Sequence, residues 1–333
     1  MIDLEPLAQQ LLAARRLLIA THAAPDGDGV GCQLALRQLL AGPERGVTAV
    51  VIGELPPRFR FLPGSGTLRD WTAITEDQQL EFLASHDQVL VVDTHVWSML
   101  GPLGDVLRRA DVPTVFLDHH PIEGDAPPNL FCDPKASSAG EICWHLTRAL
   151  RLPVSADAAT SLYAAISYDT NSFKYLRRRA ETHRIAAELV DRGADTDAVY
   201  RHLFASHSLA KVALTGEISS RLHLEEGGLV AWMVIDQELL TRTRATPDDL
   251  REVITQLIEI EGVEIALLFK QRQHGNYKVS LRSKGRYAVS PVTRELGGGG
   301  HAFAAGANLD GAVEDVTARV LGLVGKVIAE FGA

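Results

Sequence analysis

Histidine and aspartate recur in four short clusters along the first half of the chain. They are His22-Ala23-Ala24-Pro25-Asp26-Gly27-Asp28, then Asp93, then Asp118-His119-His120, then Asp169. In the first cluster, Pro25, Gly27 and Gly29 suit a tight loop, and a loop can aim three side chains inward where a helix would splay them. One imidazole and two carboxylates this close repel or desolvate one another unless a cation joins them. Hard divalent ions such as Mn²⁺ or Mg²⁺ accept such a mixed oxygen and nitrogen set, whereas tetrahedral zinc sites more often use thiolates or several histidines. Taken alone, the cluster also fits a helix cap with Asp28 as the N-cap residue. The metal reading gains weight from repetition. Asp93 follows Val89-Leu90-Val91-Val92, the Asp118 cluster follows Val115-Phe116-Leu117, and Asp169 closes Ala164-Ala165-Ile166-Ser167-Tyr168. Any one aspartate after a strand could simply cap the next helix; four that all fail to cooperate is a poorer explanation.

The elements that must position these groups are legible as short apolar runs. Residues 17–21, 47–52, 88–94 and 114–119 are rich in Val, Ile or Leu and predict strands, with helices over 29–40, 138–150 and 157–167. Buried strands alternating with helices imply a parallel sheet covered on both faces. Ligands in such sheets gather at the carboxyl ends of the strands, where the clusters lie. Ser138-x-x-Glu141 has the form of a capping box. From about 181 to 222 the pattern is helical and more polar. A second group of elements follows, with strands expected at 229–235, 263–271 and 277–283 and helices at 247–260 and 313–331.

At 333 residues the chain is long enough for two domains, and 46% hydrophobic with 23% charged residues is a globular mix. A formal net charge of −9 argues against a protein that coats duplex nucleic acid, which would need many cations. The three cysteines, Cys32, Cys132 and Cys143, form no CxxC pair and read as buried free thiols rather than a zinc or redox site. The start, Met1-Ile2-Asp3-Leu4-Glu5, is acidic where a signal peptide would be basic, and the run 17–20 is too short to span a bilayer. A cytoplasmic location without membrane contact is therefore expected.

His22…Asp26-x-Asp28, Asp93, Asp118-His119-His120 and Asp169-Thr170 resemble the four ordered motifs of the DHH phosphoesterase family. Gly297-Gly298-Gly299-Gly300-His301 with Ala304-Ala305-Gly306 resembles its C-terminal DHHA1 domain. The compact length is similar to the NrnA-like subgroup of nano-RNases and 3′-phosphoadenosine 5′-phosphate phosphatases. The resemblance implies two metal ions, one held by His22, Asp26 and Asp93, the other by Asp28, Asp93, His119 and Asp169, with Asp93 bridging. It further implies that His120 faces the substrate phosphate and that Asp118 orients the neighbouring histidine. The chain departs from the family pattern at Asn171, where glycine is usual, and at Ala139, where threonine is common. Asparagine tolerates a left-handed backbone, so the turn can survive, and Asn171 is placed on the substrate side.

Between 270 and 286 stand six cationic residues (Lys270, Arg272, Lys278, Arg282, Lys284, Arg286) and no acidic one. Lys278, Arg282, Lys284 and Arg286 share parity and would lie on one strand face, either solvated or gripping phosphate. Arg282-Ser283 resembles the phosphate-gripping segment of DHHA1 domains. Gly298, Gly299 and Gly300 would let backbone N–H groups approach an anion, and His301 could bond a terminal phosphate or a base. Phe303 and Tyr277 are candidates for base stacking, with ordinary packing the plainer reading, and Arg177-Arg178-Arg179 reads as a solvated charge run. Other histidines, among them His95, carry no assigned chemistry.

The expected fold is α/β: a parallel-sheet DHH domain over 1–190, a helical linker over 191–214, and a smaller α/β DHHA1 domain over 215–333, with the active cleft between domains. The expected function is two-metal hydrolysis of short single-stranded RNA or DNA oligonucleotides to mononucleotides, with Mn²⁺ favoured over Mg²⁺. Dephosphorylation of adenosine 3′,5′-bisphosphate is implied beside it. The alternative is a cyclic-dinucleotide phosphodiesterase. A manganese pyrophosphatase would carry a different C-terminal domain, and a long-strand exonuclease would need more chain. A nucleotide-binding regulator with a dead site would lack at least one ligand, and here all are present. A homodimer is the base-rate expectation.

Overall fold

Six short strands, β1 (Arg16–Ala20), β2 (Gly46–Val51), β3 (Arg69–Asp70), β4 (Gln88–Val92), β5 (Thr114–Asp118) and β6 (Leu130–Cys132), form a sheet in the first part of the chain. Every neighbouring pair is parallel, and the order is β3-β2-β1-β4-β5-β6. The order reverses between β1 and β4, the place where open parallel sheets leave a crevice at their carboxyl ends.

This computed structural model describes every residue except Met1, Asp111, Glu123, His207, Thr246, His274 and Ala333. For Arg179, Pro247, Asp248, Asp249, Arg251, Glu252, Gln273, His301, Phe331 and Gly332 it describes the backbone alone.

Period-two alternation decides which layer each strand residue enters. Leu17 and Ile19 pack with α1 (Glu5–Ala13), α2 (Gly27–Leu40) and two later helices, whereas Leu18 and Ala20 pack with α3 (Glu76–Ala84) and α4 (Gly101–Arg109). The later pair are α5 (Ala139–Leu150) and α6 (Ala156–Asp169), and α7 (Arg179–Asp191) adds Ile185 and Leu189 to the same layer. α2 and α6 meet closely because glycine removes the obstacle. A Cβ on Gly31 would stand 2.4 Å from the Ser161 carbonyl oxygen, and Gly27 lies against the Tyr168 ring. The start of α2 therefore lies beside the end of α6.

α8 (Thr196–Leu203) buries Val199 among Val30, Leu34, Phe59, Leu62 and Ala164, all in this first unit. The chain divides into two compact units, Met1–Ser206 and His207–Ala333. The stretch 191–214 is thus shared between them: α8 packs on the first, and α9 (Leu209–Arg221) lies in the second.

The second unit has its own six-stranded sheet, made of β7 (His223–Glu225), β8 (Val230–Ile235), β9 (Ile265–Gln273), β10 (Asn276–Ser283), β11 (Gly299–His301) and β12 (Ala304–Asp310). The order is β11-β12-β10-β9-β8-β7; β8 and β9 are parallel and the other pairs antiparallel. α10 (Gln237–Thr243), α11 (Pro247–Glu259), α12 (Ser290–Glu295) and α13 (Val313–Gly332) complete the unit. α11 supplies Val253, Ile254 and Leu257 to one side of the sheet, and α13 supplies Val316, Val320 and Leu323 to the other. Among the described residues, no helix is long and apolar enough to cross a membrane.

Candidate metal centre

The loop after β1 carries His22, Asp26 and Asp28. Asp26, not Asp28, is the N-cap of α2: its carboxylate accepts from the N–H groups of Asp28 (3.0 Å) and Gly29 (3.3 Å). The helix begins two residues earlier than expected, so Asp28 sits in its first turn and turns inward, fully buried. There its Oδ2 accepts from the N–H of Ala139 at 2.6 Å and its Oδ1 from Gly140 at 2.8 Å, both at the N-terminus of α5. A helix N-terminus is a natural seat for a carboxylate. Ser138 caps that helix through the Glu141 N–H, while Glu141 Oε2 reaches the N–H of Ser137 rather than closing a full box on Ser138.

Asp93 directly follows β4 with φ +65°, a left-handed conformation that aspartate tolerates better than most residues. Its Oδ2 lies 3.5 Å from His22 Nε2 and its Oδ1 lies 3.6 Å from His119 Nε2. His22 Nε2 is also 3.8 Å from Asp26 Oδ1, and His119 Nε2 is 3.8 Å from Asp28 and 3.5 Å from Asp169. Among the groups of possible ligands that result are His22–Asp26–Asp93 and Asp28–His119–Asp169, with Asp93 reaching toward both.

Asp169 arrives differently from the others. It is the last residue of helix α6, not a strand end, and reaches the centre because α2 and α6 pack start to end. The turn beyond it runs through three successive left-handed residues, Asn171 (φ +48°), Ser172 (φ +57°) and Phe173 (φ +65°).

The electrostatics describe a site short of positive charge. Burial and the carboxylates of Asp93, Asp169 and Asp26 push Asp28 well above the usual carboxylate range, against the pull of the Ala139 amide. Burial, with Asp93 and Asp26, pushes Asp169 up to about 6, although His119 opposes the rise. Burial alone would depress His22, but Asp26 and Asp93 hold it up at about 10. His119 Nε2 and Nδ1 and His22 Nδ1 are buried with no hydrogen-bond partner among the described residues. Orphaned imidazole nitrogens, and carboxylates crowded at distances too long for hydrogen bonds, fit a hard divalent cation in each group.

Asp118 lies close enough to Asp93, His119 and His120 to form a further group with them, but it is already taken up by hydrogen bonds. Both its oxygens are engaged, Oδ1 by the His119 and His120 N–H groups and by His120 Nδ1 (2.8 Å), Oδ2 by His95 Nδ1 (2.5 Å). Although burial opposes it, the bonds from His120 and His95 hold this carboxyl below its ordinary range. His95 had no sequence signal beyond lying two residues after Asp93. The arginine run is likewise not merely solvated: Arg177 donates to the carbonyls of His119 (3.0 Å) and Pro134 (3.1 Å), and Arg178 pairs with Asp133. These bonds clamp the DHH loop from outside. The Arg179 side chain lies outside the described residues. Cys32, Cys132 and Cys143 are free thiols.

In the second unit a hollow of ≈ 530 Å³ is lined by Arg272, Lys278, Ser280, Arg282 and Gly297–Gly300. Parity brings Lys278, Ser280 and Arg282 to one face, but β10 ends at Ser283, so Lys284 and Arg286 do not continue the stripe. Lys284 instead bonds the Ile260 carbonyl (3.1 Å), and the Ser283 hydroxyl accepts from the Gly285 N–H outside the hollow. Burial, with the neighbouring Lys278 and Arg272, lowers Lys270. No carboxylate pairs with Arg272, Lys278 or Arg282 among the described residues. Gly298 and Gly300 are required by the fold itself, since a Cβ would meet Gly306 O at 2.2 Å and Ala305 Cα at 2.6 Å respectively; Gly299 faces open space. Tyr277 is buried in the core and Phe303 is exposed. The His301 side chain lies outside the described residues.

The family model of the DHH family, N-terminal domain, matches residues 16–166, and that of the DHHA1 domain matches residues 227–330. The chain is 27% identical over 92% of its length to the probable bifunctional oligoribonuclease and PAP phosphatase NrnA of Streptococcus mutans, and covers 94% of that protein. It is 29% identical over 91% of its length to the cyclic-di-AMP phosphodiesterase GdpP of Geobacillus thermodenitrificans, of which it spans 46%. Its fold is similar to the crystal structure of an exopolyphosphatase-related protein from Bacteroides fragilis, with a TM-score of 0.91, 21% identity, and coverage of 99% of this chain and 97% of that one. The chain belongs to the DHH family and carries a DHHA1 domain.

Proposed function

We propose that this DHH-family hydrolase is a phosphoesterase that uses two divalent cations, Mn²⁺ in preference to Mg²⁺, to cut very short single-stranded RNA or DNA oligonucleotides to mononucleotides. Removal of the 3′-phosphate from adenosine 3′,5′-bisphosphate belongs to the same reading. The observation that carries it is Asp93, whose two carboxylate oxygens address the two imidazoles, His22 and His119, of two adjacent ligand groups. His22, Asp26 and Asp93 would hold one cation, and Asp28, Asp93, His119 and Asp169 the other. When bound, such a pair supplies charge neutralisation at the phosphoryl oxygens and a more acidic water.

The remaining roles fall to the protein's own side chains. His120 is half-exposed and bonded through Nδ1 to Asp118, which leaves Nε2 for a phosphoryl or leaving-group oxygen. Asp118 is spent on orienting it. In the second unit, Arg272, Lys278 and Arg282 form a cationic hollow with no paired carboxylate among the described residues, suited to a phosphate group, with arginine offering bidentate bonds. The similarity to the bifunctional NrnA protein of Streptococcus mutans supports both substrate classes.

The test is hydrolysis of a length series, from dinucleotide to about 24-mer, with and without Mn²⁺, beside adenosine 3′,5′-bisphosphate. Fast Mn²⁺-dependent cleavage confined to the shortest oligomers is expected. Equal rates along the series would overturn the short-substrate reading. A second reading, cyclic-dinucleotide hydrolysis, rests on the 29% identity to the cyclic-di-AMP phosphodiesterase; turnover of the cyclic dinucleotide without turnover of linear dinucleotides would favour it. The DHHA1 match counts against a pyrophosphatase.

A further inference from the structure

His95 lies two residues beyond Asp93 and is 5% exposed. Its Nδ1 stands 2.5 Å from Asp118 Oδ2, and its Nε2 is buried with no hydrogen-bond partner among the described residues. Asp118 therefore accepts from two histidines at once, His95 on Oδ2 and His120 on Oδ1 at 2.8 Å. We propose that His95 is a positioning residue for the reaction, fixing the Asp118 carboxylate so that His120 keeps its proton on Nδ1 and its Nε2 free for the substrate phosphate. The proposal rests on the reading that His120 serves that phosphate.

An ionised carboxylate only accepts, so both Nδ1 atoms that meet Asp118 must carry hydrogen. Asp118 Oδ1 already serves the N–H groups of His119 (2.7 Å) and His120 (3.2 Å) as well as the His120 ring. Oδ2 has one partner among the described residues, His95. Without it, Oδ2 would be a buried oxygen with nothing to accept, and rotation of the carboxyl would be the only relief. Such a rotation would draw Oδ1 away from His120, whose ring is half-exposed and depends on Asp118 for its orientation. Among the described residues the His95 ring has no other polar partner than this carboxylate.

The experiment compares His95→Ala, His95→Asn, His120→Ala and the double variant His95→Ala/His120→Ala on a dinucleotide, with imidazole ¹⁵N NMR of the metal-free proteins. In the native protein, His120 should show a protonated Nδ1 and a bare Nε2. His95→Ala should mix the two tautomers and lower kcat by ~10-fold or more with KM little changed, the size seen when outer-shell partners are removed. His95→Asn, whose amide N–H₂ can replace the Nδ1 donor, should restore both readouts even if the alanine variant folds poorly. In the double variant the loss should equal that of His120→Ala alone. An unchanged His120 tautomer in His95→Ala, or strictly additive losses in the double variant, would overturn the proposal. If His120→Ala keeps full kcat, the role of His120 at the phosphate fails instead, and the tautomer readout still decides the clamp.

Discussion

Asp28 Oδ2 accepts from the backbone N–H of Ala139 at 2.6 Å, across 111 residues of sequence. The bond joins the first turn of α2 to the first residue of α5 and orients a carboxylate of the candidate metal centre. Ala139 occupies the first helical position, where proline is tolerated. Ala139→Pro should keep the helix but remove this donor, destabilising the protein by ~1.5–3 kcal/mol in a urea titration, the range for a hydrogen bond to a charged group. Weaker Mn²⁺ binding should accompany it.

Asp93→Ala should reduce hydrolysis to background, because it removes a carboxylate of the first ligand group and the one that lies against His119 of the second. The backbone adds a second expectation. At φ +65° alanine is strained and glycine is not, so Asp93→Gly should be the more stable variant by ~1 kcal/mol, read from thermal melts, although equally inactive.

The metal-free protein should lose stability as pH rises from about 6.5 toward 10. The pKa of His22 is raised in the folded state, chiefly by Asp26 and Asp93 against burial, so its contribution is full below the unfolded value of 6.5 and fades as pH approaches about 10. A cation needs the neutral imidazole, so Mn²⁺ binding at pH 7 should release protons and tighten with pH. Calorimetry in buffers of differing ionisation enthalpy measures the release, and a proton-neutral titration would refute it.

Arg282→Ala should raise KM for a short oligonucleotide ~10-fold or more, from loss of a charge-assisted bond of ~1.5–3 kcal/mol, with kcat nearly unchanged. Lys284→Ala, two residues further on but turned to Ile260, should leave KM within about twofold, as expected for a surface substitution. Steady-state kinetics at fixed ionic strength separate the two.

Gly31→Ala should cost ~1–3 kcal/mol, since its methyl would stand 2.4 Å from the Ser161 carbonyl and force α2 from α6. Mn²⁺ affinity should fall with it, because that contact brings Asp169 to Asp28. An unchanged Mn²⁺ titration in a destabilised Gly31→Ala would uncouple the packing from the site.

Much of the site could be read from local pattern because it is written at strand ends. Asp93 and Asp118 each follow or end a run of Val, Leu or Phe, and the first cluster sits in a loop that proline and glycine announce. The cationic residues near β10 are visible from their shared parity, but the stripe is shorter than that parity implies. A period-two pattern does not say where a strand stops, and this one stops at Ser283 before a turn in which Gly285 takes φ +113°. Arg272 joins the hollow from the neighbouring strand through pairing that parity along one strand does not encode.

By itself, the sequence determined the types and order of the candidate ligands, the two-unit α/β plan and the family, since these depend on composition and on spacings of a few residues. Tertiary structure alone decided the partners. Asp26 caps α2 and frees Asp28 to reach α5; Asp169 comes from a helix end carried in by a glycine contact; His95 meets Asp118. Apart from the local cap at Asp26, each of these is a contact between segments well separated in sequence. Its energy depends on close packing and on which buried acceptor lacks a donor, and neither quantity exists until the chain has folded.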